Sequence, residues 1–543
     1  MRLRNIFLLI AGLSFSSLAL AGQISENFSS RAYFSSATAN WNQARGLITP
    51  SLIVKDWNDG ANQSSSLEIG DGSHGEFNSS TWSRFATSVD SGTQTIYLDT
   101  TTYPIFKFTT FTLPAGWTIE PVGSNPLIIY VQGDMILLGT IECSGKNGTS
   151  STGTGATATA GAGGEGRCGG ARGGNGGSRY TGAGTGDGQI GVSTSGLIGG
   201  GAPGVVTGVT GTGGGGGGGG SWTAFVFSHT NSSNGTMATG GARGANHSDP
   251  AFTELLGSAG GGGGSGCDTE AGGGGGGGGG LVVLHVGEDL DLGTTGLILA
   301  NGGNGGASPS AGGAGGSGAG GSVQTWVAGT LSMMHPSDYQ IRAFSGTRGN
   351  ATTGGDGGSA WAGRTWTVSS VFDSDPGNAT GTIFPSAEAA FFEGSLEYST
   401  SAQTVTSSSF DTFSTLPSFT GVSLSQNGLA SDILLEAAGS NDGFVSDDTG
   451  WVSEGNISSL NNKRYLRFRI TLTNTNATSP TTVDSLSFDY TSGERKDFDF
   501  KSSGCGHLNA SGGGAGSGLA LLCFPLLLAF ILRRKLKPIC VSN

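Results

Sequence analysis

The sequence predicts an all-β protein, and three observations support this prediction. In several short runs the apolar side chains recur at every second position, which is the period of a β-strand. Proline and glycine separate these runs, as they separate strands in β proteins. No stretch between the two ends of the chain has a convincing helical period. We therefore expect an irregular, glycine-rich β-solenoid followed by a β-sandwich of the jelly-roll kind.

The composition excludes several classes of protein. Glycine supplies 105 of the 543 residues, and charged residues make up only 12% of the chain, about half of their usual share. Collagen is excluded because there are only 15 prolines and no strict Gly-X-Y period. The 26 basic residues are outnumbered by 39 acidic residues, so we expect no nucleic acid among the partners.

Residues 22–125 are predicted to form an N-terminal β region that leads into the solenoid. Short alternating runs, which we interpret as strands, occupy residues 96–98, 106–108, 111–113 and 117–119.

Residues 126–365 contain the repeat that predicts the solenoid. The repeating unit consists of a strand, a corner with glycine, a second strand and a glycine-rich tail. Copies of this unit begin at residues 127, 281 and 323, and a fainter copy begins near residue 222. Such units cannot bury their apolar faces alone, so they must stack on one another.

Two glycine runs in this zone leave a choice between two structures. Residues 213–220 and 272–280 are predicted either as mobile loops or as threads packed side by side in a polyproline-II-like conformation. Ordering glycine costs more backbone entropy than ordering any other residue, which favours loops. The absence of a Cβ atom permits the close approach that packed threads need.

Residues 366–492 lose the glycine bias and are predicted to form the β-sandwich. One face of a strand near residue 468 is expected in the core, through Leu466, Phe468, Ile470 and Leu472. The opposite face carries Tyr465, Arg467 and Arg469, which suit a carbohydrate or an acidic polymer. Alternatively, the arginines pair with acids of neighbouring strands such as Asp484 or Asp489.

The two ends of the chain predict export. Residues 1–21 have the basic start, apolar stretch and Ala-Leu-Ala ending of a signal peptide. Residues 493–543 combine a glycine-rich linker, a short apolar transmembrane run and a basic cluster. The residues that define this tail are Cys505, Gly506, Arg533, Arg534 and Lys535.

This tail resembles the GlyGly-CTERM and MYXO-CTERM sorting tails of Gram-negative bacteria. The resemblance implies recognition by export and processing machinery, cleavage near Cys505, and attachment to the outer membrane or cell surface. It covers about 40 residues, and the chain departs from the pattern by continuing to Asn543. An ordinary single-span anchor is the alternative.

Residues 464–490 resemble the closing strands of discoidin-like, galactose-binding-type jelly rolls, through Arg-Tyr-Leu-Arg-Phe-Arg-Ile-Thr-Leu and the following Val-Asp-Ser-Leu-Ser-Phe. The resemblance implies binding rather than catalysis. The whole arrangement is similar to large glycine-rich surface proteins of Gram-negative bacteria.

Metal ligands are sparse in the sequence, and we expect no cofactor. The six histidines never approach the spacing of a zinc site. Calcium is the one candidate, with oxygen ligands at Asp442, Asp447 and Asp448, or at residues 56–60. Turn chemistry explains the same acids equally well.

The exported location permits disulfides. Cys168 and Cys267 both stand in glycine-dense segments, and we expect them to pair, leaving Cys143 as a buried thiol.

Two functions remain after these exclusions. The first is a non-enzymatic structural or adhesive surface protein, whose partner is a surface polysaccharide or another envelope component. The alternative is a polysaccharide-acting enzyme on a pectin-lyase-like β-helix, which needs clustered acids, or acids with Lys or Arg, on one face. Acids are sparse among the glycines, and no lysine occurs between Lys146 and Lys463. We therefore favour the surface protein.

Overall fold

The computed structural model describes residues 20–30, 34–55, 65–182, 186–192, 200–207, 211–220, 232–235, 238–244, 258–334, 339–360, 362–374 and 390–492. Four predicted features lie outside these residues, although the last two residues of the predicted signal peptide are described. They are the signal peptide, the calcium candidate at 56–60, the repeat near residue 222 and the sorting tail.

The prediction of an all-β protein is confirmed, with 36% strand and 4% helical turns in the part of the chain that the structure describes. In the first half the strands are β1 (Leu20–Glu26), β2 (Phe34–Ala37), β3 (Asn40–Asn42), β4 (Leu47–Thr49), β5 (Leu52–Lys55), β6 (Ser65–Leu67), β7 (Ala86–Asp90), β8 (Thr95–Asp99), β9 (Phe106–Phe108), β10 (Phe111–Leu113), β11 (Thr118–Val122), β12 (Leu127–Val131), β13 (Met135–Leu137), β14 (Thr140–Glu142), β15 (Val205–Val206) and β16 (Ala238–Thr239). In the second half they are β17 (Leu281–Val286), β18 (Leu290–Asp291), β19 (Leu297–Leu299), β20 (Ser322–Met333), β21 (Ile341–Arg342), β22 (Arg364–Ser374), β23 (Ala390–Tyr398), β24 (Gln403–Ser407), β25 (Phe410–Asp411), β26 (Pro417–Asn427), β27 (Ile433–Ser440), β28 (Val452–Ser453), β29 (Tyr465–Leu472) and β30 (Thr482–Ser492). Short 3-10 turns occupy Trp82–Arg84, Gly155–Thr157, Ala430–Asp432 and Glu454–Leu460.

The chain divides into two compact units. The ladder unit comprises Asn40–Ser401 and Asn474–Pro480, and the antiparallel unit comprises the described residues of Met1–Ala39, Ala402–Thr473 and Thr481–Asn543. This division differs from the predicted boundary at residue 366. Strands β22 and β23 continue the parallel pairing of β20, so the ladder unit extends to about residue 401.

Three parallel ladders build the ladder unit. The first runs β9–β12–β17–β20–β22–β23, the second β10–β13–β18–β20–β22, and the third β8–β11–β14–β19–β21. Each pass of the chain adds to the ladders in the same order, and the long strands β20 and β22 serve two ladders at once. The predicted repeats at residues 127, 281 and 323 begin β12, β17 and β20, which are neighbours in the first ladder.

The ladders enclose an apolar core whose rows run from strand to strand. One row consists of isoleucines alone, each at most 1% exposed: Ile96, Ile119, Ile141, Ile298 and Ile341. Parallel pairing in register places equivalent side chains directly above one another. Complete burial of each isoleucine contributes roughly 1.5–3 kcal/mol relative to an exposed side chain.

The long glycine runs are packed threads, not loops. Residues 271–280, which we call the central thread, are buried, and so are residues 213–220. Along the central thread, every third N–H donates to the same neighbouring thread. The donor–acceptor pairs are Gly274–Thr149, Gly277–Lys146 and Gly280–Cys143; Gly272–Gly177, Gly275–Gly174 and Gly278–Ala171; and Gly273–Gly313, Gly276–Gly316 and Gly279–Ala319. Three residues per turn is the period of a polyproline-II helix.

The central thread and the threads packed around it form a unit that we call the glycine bundle. Hydrogen bonding explains why this bundle is ordered. Threads near residues 161, 261 and 303 donate in turn to carbonyls of the central thread. The central thread therefore has six neighbours, and its buried backbone groups are paired, as the interior of a protein requires. Only glycine allows such close approach from all sides.

The cysteine pairing predicted from the sequence is wrong. Cys143 is bonded to Cys168, with the two Cα atoms 5.6 Å apart, and Cys267 is a buried thiol without a disulfide partner among the described residues. The physical reason is the route of the central thread. Gly280 donates its N–H to the carbonyl of Cys143, and Leu281 donates to that of Cys168, so the end of the thread draws these two cysteines together.

Peptide mapping under non-reducing conditions tests this pairing. We expect a linked peptide that contains Cys143 and Cys168, and the same link in a Cys267→Ser variant. A peptide joining Cys168 to Cys267 would contradict it.

The antiparallel unit consists of two antiparallel sheets. One sheet is β1–β30–β26, and the other is β2–β24–β29–β27–β28 with β25 also paired to β29. The predicted core face of β29 is confirmed, because Leu466, Phe468, Ile470 and Leu472 are all at most 1% exposed. Phe28 packs edge-on against Phe468 with ring centroids 6.3 Å apart.

Candidate functional site

The outer side of β29 carries the three residues predicted to bind a ligand. Tyr465, Arg467 and Arg469 alternate with the core residues and are partly exposed. Both arginine side chains already make ion pairs, and the segment that begins at the last residue of β27 contacts both of them. We refer to residues 440–451 as the capping loop.

Arg467 lies between two rings of the capping loop. Its guanidinium group is 4.3 Å from the ring centroid of Phe444 and 4.9 Å from that of Trp451. It also donates to Asp448 over 2.6 Å. Cation–π contact and an ion pair together fix the loop on the sheet.

Arg469, two residues further along β29, also makes an ion pair and a ring contact. It donates to Glu436 of β27 over 2.8 and 2.6 Å and lies 4.6 Å from the Trp451 ring centroid. The interpretation that these arginines pair with Asp484 or Asp489 named the wrong acids. Their partners come from β27, the neighbouring strand in the same sheet, and from its loop.

The capping loop is held by its own acids. The carboxylate of Asp442 accepts hydrogen bonds from Ser440, Val445, Ser446 and Asp447. These bonds, above all those of the Ser446 and Ser440 hydroxyls, lower the pKa of Asp442 well below its usual value.

The remaining calcium candidates are also engaged. Asp447 accepts from Lys463 over 2.8 and 2.9 Å, and this bond lowers the pKa of Asp447. Asp448 accepts from Arg467 and from the backbone of Gly450. In the described part of the chain, no three His, Cys, Asp or Glu side chains are grouped as metal ligands.

A second loop emerges at the same end of the sheet. Residues 412–416 follow β25, and β25 and β27 pair with the two opposite edges of β29 at its first residues. Asp411 accepts two bonds from Arg464, whose guanidinium lies 5.2 Å from the Tyr465 ring centroid.

Both loops display apolar side chains to solvent. Phe413 and Leu416 are 49% and 51% exposed, and Val445 is 85% exposed. Phe413 and Phe444 have φ angles of +54° and +69°, which non-glycine residues adopt at a cost of about 1–3 kcal/mol. Strained, ordered loops with exposed apolar tips are typical of binding sites.

Sequence reasoning missed the most important members of this site. Phe444, Lys463 and Arg464 were not predicted as site residues, although the Asn-Asp-Gly turn at 441–443 did indicate a loop here, and the loop from Asn441 to Trp451 was the alternative binding region. The available signal was the pair of aromatic residues inside an acidic loop that faces a strand with alternating arginines.

Replacing both Arg467 and Arg469 by alanine should loosen the capping loop. We expect a loss of about 1–3 kcal/mol, summed from two partly exposed ion pairs and their ring contacts. Hydrogen exchange in residues 440–451 measures the change. Arg348→Ala, at a 45% exposed side chain with a 3.8 Å ion pair, is the control. Unchanged hydrogen exchange in the double variant would show that the two arginines do not hold the capping loop on the sheet.

Two histidines of the ladder unit are structural. His285 stacks between Tyr130 and Trp326, at centroid distances of 4.7 and 4.6 Å, and its Nδ1 is 3.0 Å from the carbonyl of Glu68. Burial lowers the pKa of His285 to about 4. His74 lies among aromatic rings, and its Nδ1 accepts from the N–H of Lys107.

Acids on the outer side of the third ladder are already paired. Glu120 accepts from Arg167 over 2.9 Å, and Glu142 of the neighbouring strand accepts from the N–H of Ser144. Other acids of the ladder unit, Asp134, Glu288 and Asp289, lie close enough to interact, and burial raises the pKa of Glu288 to about 7.

No family model, no curated protein and no solved structure matches this chain. Among the described residues, no helix is long and apolar enough to span a membrane.

Proposed function

We propose that the protein is an exported structural or adhesive protein of the cell surface. In this proposal the three parallel ladders are a β-solenoid that serves as a stalk, and the antiparallel unit is a β-sandwich of the jelly-roll kind that serves as a carbohydrate-binding head. The glycine bundle is the observation that carries the proposal. Its interior contains almost no side chains with which to do chemistry, and its hydrogen bonds hold the backbone in place.

The proposed binding region of the head is its loop end. Because the guanidinium groups of Arg467 and Arg469 are engaged by Glu436 and Asp448, we assign them to loop positioning. Contact with carbohydrate falls to the exposed residues of the two loops, above all Phe413 and Val445.

A glycan array probed with the purified full chain, with and without calcium, tests the head. We expect binding to surface-type polysaccharides that falls about tenfold, or 1.4 kcal/mol, in a Phe413→Ser variant. Leu429→Ser is the matched control, because Leu429 is 56% exposed and lies outside both loops. If the parent protein binds none of the glycans on the array, the carbohydrate-binding head is contradicted.

The cell-surface location rests on the two ends of the sequence. We propose cleavage after Ala21 and near Cys505, with transfer of the new C-terminus to an outer-membrane or surface anchor. Mass spectrometry of protein taken from the cell surface should find no peptide beyond about residue 518. Recovery of mature protein that retains Arg533 would instead indicate a simple membrane anchor.

A further inference from the structure

Three threads of the glycine bundle lie side by side at its surface and run in the same direction. They occupy residues 143–151, 301–308 and 344–350. The N–H groups of 145, 148 and 151 donate to the carbonyls of 301, 304 and 307, and those of 302, 305 and 308 donate to 344, 347 and 350. The period of three places every third side chain on one side of each thread.

The side chains of this outer thread face form a regular array. Its nine positions are Ser144, Asn147, Ser150, Asn301, Asn304, Ala307, Phe344, Thr347 and Asn350. With a polyproline-II rise of 3.1 Å per residue, successive positions on one thread are about 9.3 Å apart. None of the nine positions carries a formal charge, so the array is neutral.

Three of the four asparagines of the array have fixed orientations. The Oδ1 atom of Asn147 accepts from the N–H of Asn304 over 2.8 Å, and Oδ1 of Asn304 accepts from the N–H of Thr347 over 2.8 Å. Oδ1 of Asn301 accepts from Phe344 in the same way. The amide oxygens of these three asparagines are therefore used within the bundle, while the NH2 groups of the exposed Asn147 and Asn304 remain as donors to solvent.

We propose that the outer thread face binds an extended, neutral polysaccharide. Its oriented NH2 donors require an acceptor-rich ligand, and sugar hydroxyl and ether oxygens supply such acceptors. Its nine positions carry no charge of their own, so they supply no ion-pair partner for an ionic polymer. Its repeat along three rigid threads suits a ligand that is itself periodic, because several weak contacts then form at once without a cost for ordering the protein.

Asn→Asp substitution separates binding from stability at these positions. In the double variant Asn147→Asp/Asn304→Asp, each carboxylate still accepts the backbone N–H of the next thread, but the outward donor is lost and a charge is introduced. Binding of the full chain to microcrystalline cellulose is measured by co-sedimentation, with alginate beads as the acidic polymer. We expect at least about a tenfold loss of cellulose binding with little change in melting temperature.

Asn175→Asp is the matched control. Oδ1 of Asn175 also accepts a backbone N–H within the bundle, from Gly163 over 2.8 Å, but Asn175 is outside the nine positions. This variant should bind cellulose like the parent protein.

Three results would overturn the proposal: full cellulose binding by the double variant, stronger binding to alginate than to cellulose, or a parent protein that does not bind cellulose. If such a parent protein inhibits ice recrystallisation, the array is assigned to a crystalline water surface. Because the proposed head is probed separately on the glycan array, failure with cellulose alone leaves the proposed function standing.

Discussion

Replacing Gly276 by alanine is expected to destabilise the glycine bundle by about 3 kcal/mol or more, the upper end of the range for overpacked cores. A Cβ atom at this position would overlap the carbonyl of Gly303 and contact the backbone nitrogen of Gly318. Both belong to neighbouring threads that are themselves hydrogen-bonded on other sides, so neither can move away cheaply. Hydrogen exchange in peptides covering residues 258–320 measures the loss of protection.

Two controls accompany this variant. Gly92→Ala adds the same methyl group in the ladder unit at an exposed position, where the nearest atom is Oδ1 of Asp90 at 3.2 Å. Ala319→Gly removes a methyl group from a thread without adding bulk. Both should change protection far less than Gly276→Ala. Equal protection in Gly276→Ala and in the parent protein would show that the threads are not packed as described.

Replacing Phe468 by alanine is expected to cost about 3–5 kcal/mol, as truncation of a buried aromatic side chain does. Phe468 is fully buried in the antiparallel unit, where it contacts Phe28 and also Phe410, at centroid distances of 6.3 and 5.8 Å. Calorimetry of the full chain should show a lower unfolding temperature for the transition of this unit.

Val445→Ala is the control for Phe468, because Val445 belongs to the same unit and is 85% exposed. Its transition should coincide with that of the parent protein. A Phe468→Ala variant that unfolds at the parent temperature would place the core of the unit elsewhere.

The sequence could predict those features that depend on local periodicity. Alternation alone placed Leu466, Phe468, Ile470 and Leu472 on one buried face, because a strand turns successive side chains to opposite sides. The repeats at residues 127, 281 and 323 were visible because each coil begins with the same apolar strand. Strands β22 and β23 were not predicted as part of the ladders, since Thr365 and Ser369 of β22 stand opposite Val323 and Val327 of β20 and replace apolar residues on that face.

Features that depend on which segments meet in space could not be predicted. The pairing of Cys143 with Cys168 follows from the path of a thread more than 100 residues later in the chain, and glycine carries no side-chain signal of that path. The partners of Arg467 and Arg469 likewise depend on how the capping loop folds back over β29. From the sequence alone, several acids in the region were equally suitable ion-pair partners for these arginines.

The interior of the glycine bundle also determines how the stability of the protein varies with temperature. The heat capacity of unfolding rises with the apolar surface exposed and falls with the polar surface exposed. A bundle held by backbone hydrogen bonds exposes mainly peptide groups when it opens, so its contribution to this heat capacity is small. Hydrophobic cores weaken on cooling, whereas the bundle has little such surface to lose. The glycine bundle should therefore have a flatter stability curve than an aliphatic core of equal size and should resist cold denaturation.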